Sequence, residues 1–172
     1  MCYLGSSTRG RCCCCIPMGV AGTVTSLILL ASGAYTTCQF SQTPNQEFGG
    51  LASSGLFTGV TLLAFMCFYC GPGGAGFAYF ATQFTAIVVT FQIVYQWCLW
   101  TYSFLQVGRF LIGFKMAFFI TIIWIVTLVV NIISITIFRS SWEIKVQGGS
   151  PWKLKNAQEV RIQNLENAMG MN

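Results

Sequence analysis

The chain has 172 residues, 55% hydrophobic and 8% charged, with a net charge of +5. Soluble domains carry about 25% charged residues, so a chain this poor in charge cannot coat a water-facing surface and the membrane class is expected. Histidine and aspartate are both absent; this removes the Ser-His-Asp and Cys-His catalytic arrangements, the usual haem ligand and histidine as a partner of cysteine at zinc.

The chain is therefore expected to be no enzyme and to hold no cofactor. The basic excess is read as an orientation signal beside apolar spans, not as a nucleic-acid surface.

Residues 1–15 form a Cys-rich segment that ends in "RCCCC". Zinc sites usually space paired cysteines by two to four residues, whereas Cys12, Cys13, Cys14 and Cys15 are adjacent. Beside Arg9 and Arg11, at the mouth of an apolar span, they fit reversible S-palmitoylation. Unmodified thiols packed as small residues are the alternative. A four-thiolate site completed by Cys67 and Cys70 is less favoured, and no metal is expected.

A membrane-spanning helix needs about 20 mostly apolar residues. Four stretches qualify, at about 16–35, 51–70, 75–99 and 110–138. The first is longer than the apolar core of a signal peptide, so cleavage is not expected. Residues 36–50, "TTCQFSQTPNQEFGG", read as a polar loop with Pro44 as breaker, and residues 71–76, "GPGGAG", as a tight Gly/Pro turn. Residues 100–109 are aromatic and suit the bilayer interface.

Residues 139–172 are the one soluble-looking segment. Asn156 and Glu159 stand at capping-box spacing with Gly170 as a stop, so a short helix is expected there.

Arg9 and Arg11 precede the first span, and Arg139, Lys145, Lys153, Lys155 and Arg161 follow the last; Arg109 and Lys115 lie by the third connection. Positive charge marks the cytoplasmic side. Both termini inside places seven basic residues inside and two outside. The expected fold is thus an all-α integral membrane protein: a four-transmembrane-helix bundle over 16–138, N-in/C-in, with a short amphipathic cytoplasmic C-terminal helix in 139–172. On this topology Cys38 and Cys98 share the outer side. They are disulfide candidates if that side is oxidising, and free thiols otherwise.

Gly55 and Gly59 form a GxxxG, which lets a second backbone approach closely. Ala78, Thr82, Thr85, Val89, Gln92 and Gln96 recur at alternating spacings of four and three, one stripe of the third span. Asn131 is its polar counterpart in the fourth. Amides and hydroxyls in hydrocarbon need partners, so these faces should point inward. The absence of charge deep in any span argues against proton relays and voltage sensors.

No loop motif ties the outline to a particular group of small tetraspan proteins. The function expected is structural or organising, by lateral packing with itself or with partner subunits in the bilayer. The alternatives are an accessory subunit of a large membrane complex, and a pore-forming oligomer lined by the third-span stripe. A multi-pass protein of the plasma membrane or endomembranes is favoured, with an organelle membrane as the alternative.

Overall fold

The computed structural model describes residues 11–12, 16–42, 48–107, 110–153 and 157–170. Two short strands, β1 (Arg11–Cys12) and β2 (Ile16–Pro17), pair antiparallel with Arg11 opposite Pro17 and Cys12 opposite Ile16. Four long helices follow: α1 (Met18–Gln42), α2 (Phe48–Phe68), α3 (Gly71–Val107) and α4 (Phe110–Val146). The last element is α5 (Ala157–Ala168).

Among the described residues four helical stretches are long and apolar enough to cross a bilayer: Met18–Gln42, Gly49–Phe68, Gly71–Leu99 and Phe118–Val146. The protein is a multi-pass membrane protein with an all-helical membrane domain. At 1.5 Å per residue, the 37-residue helices α3 and α4 are each about 55 Å long, well beyond a hydrocarbon core of about 30 Å. Both project past the core.

The helices are longer than the hydropathy pattern predicts, for local reasons. In "TTCQFSQ" the polar side chains bond their own helix: Thr36 to the Ser32 and Gly33 carbonyls, Thr37 to Gly33, and Ser41 to Cys38. Back-bonding of this kind lets hydroxyl residues continue a helix, so α1 runs to Gln42 where a loop is expected. Residues 43–47 lie outside the described set.

The "GPGGAG" stretch is also helical. The reversal between α2 and α3 is confined to Tyr69 and Cys70, with Gly71 at φ 69°. Pro72 falls in the first turn of α3, where its missing N–H costs no hydrogen bond. A Cβ on Gly74 would collide with the Cys67 carbonyl oxygen, so glycine is required for so sharp a reversal.

The tail also divides differently from expectation. α4 continues to Val146 and takes in Arg139, Trp142 and Lys145. Asn156 of the expected capping box is outside the described residues. Gly170, at φ 64°, lies just beyond α5 in the left-handed conformation that ends helices.

The bundle is a square of antiparallel neighbours, α1–α2, α2–α3, α3–α4 and α4–α1, with α1 and α3 across one diagonal. Small residues bring the helices together. A Cβ on Gly33 of α1 would lie 2.6 Å from Thr58 Oγ1 and 2.8 Å from the Phe57 ring of α2. One on Gly22 would lie 3.1 Å from Phe68 and 3.5 Å from Phe138.

Polarity is arranged inside out. Gln92 and Asn131 are 0% exposed, whereas Ile87 and Phe91, on the same helix as Gln92, are 68% and 65% exposed. A water-soluble bundle would bury the latter pair. In hydrocarbon the apolar faces meet lipid, and the polar groups must find each other.

Candidate functional site: the polar interior

Thr82, Thr85, Gln92 and Gln96 are all buried, along one face of α3. The face turns to two neighbours at once. Ser53 Oγ of α2 hydrogen-bonds Gln92 Oε1. Asn131 of α4 meets Thr85: its amide oxygen accepts from Thr85 Oγ1 at 2.9 Å and from the Ala86 N–H at 3.2 Å, and its amide nitrogen donates to the Thr82 carbonyl at 3.0 Å, the orientation that satisfies both ends. A side chain of α4 thereby engages the backbone of α3. The expected stripe thus contacts the expected residue of the fourth span, through Thr85 and Thr82. Gln92 looks to α2 instead.

Not every buried polar group is matched. Gln92 Nε2, Gln96 Nε2, Trp124 Nε1 and Ser141 Oγ have no hydrogen-bond partner among the described residues. Trp124, 1% exposed, sits edge-on to Phe57 at 5.6 Å between ring centres and closes a layer with Leu29 and Val89. The sequence pattern carries a signal for Trp124. Trp124, Thr127, Asn131 and Ser134 recur at three and four residues, as the α3 stripe does, and all four are buried.

The end of the bundle that carries β1, β2 and α5 is closed by aromatic rings. After α4 the chain reverses at Gly148, φ 76°, and returns to the start of α1, where the Gly19 N–H donates to the Pro151 carbonyl at 2.8 Å. Trp152 stacks on Tyr69 at 5.8 Å and 16°. A Cβ on Gly19 would lie 2.7 Å from the Trp152 ring. Trp142 stacks on Tyr79 at 5.9 Å and 18°.

Lys145 crosses from α4 to the α2–α3 reversal. Its Nζ bonds the Phe68 carbonyl and, at 3.3 Å, that of Gly71, and stands 5.0 Å from the Phe68 ring centre. The Phe68 carbonyl, at the C-terminal end of α2, lacks an intrahelical donor, and an ammonium there also complements the α2 dipole. Of the tail positions, Val160 is buried against Gly149, while Ile162, Leu165 and Met169 are exposed. Asn164 Nδ2 holds α5 to α4 through the Gln147 carbonyl at 2.8 Å.

Gly55 and Gly59 lie on the outside of α2, with nothing within 4 Å of a Cβ placed on either. The close approaches within the chain are made by other glycines. Cys38 of α1 and Cys98 of α3 are exposed free thiols. Cys12 lies in β1; Cys13, Cys14 and Cys15 are outside the described residues. Cys67 is half-buried and Cys70 exposed at the α2–α3 reversal. No protein-family model, curated protein or solved structure matches the chain.

Proposed function

We propose that the protein is a non-enzymatic, structural tetraspan that associates laterally in the bilayer, with itself or with partner subunits, through the outer face of α2. The observation that carries this reading is the open GxxxG. Gly55 and Gly59 leave a shallow track on the lipid side of α2 that none of the described residues occupies. Without a hydrophobic drive between helices, close backbone approach over small residues is a main source of association in lipid. Leu56, Leu62 and Leu63 beside the track are about half exposed and supply its apolar rims.

The polar stripe supports packing over conduction. It faces α2 and α4 inside the chain, and the fully buried Leu29, Phe57 and Val89 fill the interior beside it. Lining a pore would require the bundle to open. Both termini are placed in the cytoplasm on the charge bias. On that topology Trp152, α5 and the palmitoylation candidates Cys12 to Cys15 share the cytoplasmic mouth, and Cys38 and Cys98 face outward. A plasma-membrane or endomembrane location follows the same reading.

Native mass measurement in nanodiscs tests the association. A defined oligomer of one chain that falls to monomer with Gly55→Leu/Gly59→Leu is the expected result. A strictly monomeric wild type in both purified and native membranes would refute lateral packing through this face. Fixed stoichiometry with other chains would move the assignment to an accessory subunit. Impermeant thiol labelling of Cys38 and Cys98 in intact cells, with Cys70 reached only after permeabilisation, tests the topology.

A further inference from the structure

We propose that the bundle half away from the termini holds an internal site for an uncharged hydroxyl group, that of water or of a lipid, at Gln92, Gln96 and Trp124. The three side chains are 0%, 4% and 1% exposed, and each has an N–H without an acceptor among the described residues. They also belong to one place. The α3–α4 register is set where Thr85 meets Asn131, and Ala78 shares a core cluster with Phe138 on the same antiparallel register. Seven residues on from Thr85 is Gln92, and seven back from Asn131 is Trp124. Seven residues are nearly two full turns, so each keeps the face of its predecessor, about 10 Å further along. Val89 and Trp124 share one buried cluster, as that register requires. Gln96 follows one turn above Gln92.

The chemistry narrows the occupant. A buried amide or indole N–H without an acceptor is costly, and three such groups within about one helical turn of each other call for an acceptor. Ser53 meets only one end of the Gln92 amide. Its single proton also has the Gly49 carbonyl in reach at 2.8 Å. Whichever way that amide is turned, at least one of its N–H groups is unmatched. The Trp124 indole can only donate. Donors of this kind repel cations, and the three side chains bring no charge to hold an anion. A hydroxyl oxygen accepts two bonds and returns a donor, which serves both orientations of Gln92. Buried water typically takes about three such bonds.

The site has a floor. Leu29, Phe57 and Val89, all fully buried, share the cluster of Trp124. Gln96 lies three residues from the end of the Gly71–Leu99 span, so the occupant enters from the end remote from the termini and goes no deeper than Trp124.

Indole-15N-labelled protein in nanodiscs tests this, with the Trp124 signal assigned by its loss in Trp124→Phe. A hydrogen-bonded indole proton with a cross-peak to water supports the site with water as occupant; a cross-peak to lipid protons supports it with a lipid hydroxyl. Gln92→Leu/Gln96→Leu should then cut that cross-peak at least several-fold, and Gln96→Leu alone, which spares the Ser53 contact, should weaken it. A free indole N–H, one bonded without either cross-peak, or a cross-peak indifferent to Gln96→Leu overturns the proposal.

Discussion

Thr85 and Asn131 meet at the middle of their apolar spans, and Asn131 reaches past the Thr85 hydroxyl to the Thr82 carbonyl and the Ala86 N–H of α3. Thr85 lies 14 residues from each end of the Gly71–Leu99 span, where water is least available. Interhelical hydrogen bonds in membranes are worth about 0.6 kcal/mol on average and up to about 1.7. Asn131→Ala adds a cavity and strands the Thr85 side, so a loss of about 1–3 kcal/mol is expected. Thr85→Val should cost less, because it leaves no cavity and the Asn131 oxygen keeps the Ala86 N–H as a donor. A double-mutant cycle read by denaturant unfolding in mixed micelles should give a positive coupling. Additive losses would dissolve the pair.

Two glycines of similar appearance in sequence should behave oppositely. Gly33→Ala drives a methyl into Thr58 and Phe57 and should destabilise the bundle by about 1–3 kcal/mol, as overpacking does. Gly59→Ala meets nothing within 4 Å and should leave monomer stability unchanged or raised by up to about 1 kcal/mol. Thermal unfolding of dilute monomer separates them.

Trp152 closes the terminal end only while residue 19 lacks a side chain. Gly19→Val should expel the ring and release the Pro151 contact. Limited proteolysis after Lys153 should then become several-fold faster, and the spectral contribution of the Trp152–Tyr69 stack should be lost. Trp152→Ala should reproduce both effects without any clash at α1.

Lys145 acts as a cap supplied in trans to the α2–α3 reversal. Lys145→Met keeps the apolar stem but removes the donors to the Phe68 and Gly71 carbonyls. Hydrogen exchange at residues 70–74 should rise, with little change at Thr85 or Asn131. A charged donor bonded to a carbonyl contributes about 1.5–3 kcal/mol, so exchange there should rise at least tenfold. Lys145→Arg should recover part of the protection.

Much of the interior was legible in the sequence because hydrocarbon forces polar residues inward. Thr82, Thr85, Gln92, Gln96 and Asn131 stand out against an apolar background, and their spacing places them on one face of each helix. Helix ends were less legible. Thr36, Thr37 and Ser41 look like loop residues by hydropathy, yet their hydroxyls find acceptors in their own helix. The Gly/Pro stretch looks like a turn, yet proline suits a first helical turn. Trp124 was less legible because an indole reads as apolar until its N–H has to be matched.

Composition and periodicity alone determined that this chain crosses a membrane four times and that its amides lie inside, since both follow from the cost of exposing polar groups to lipid. Only the tertiary structure decided which helix meets which. It turned Gly33 inward and Gly59 outward, set Lys145 on a reversal 74 residues away, and laid Trp152 over Gly19. Contacts between residues far apart in sequence depend on how the helices are arranged around one another, and no local pattern in the chain carries that information.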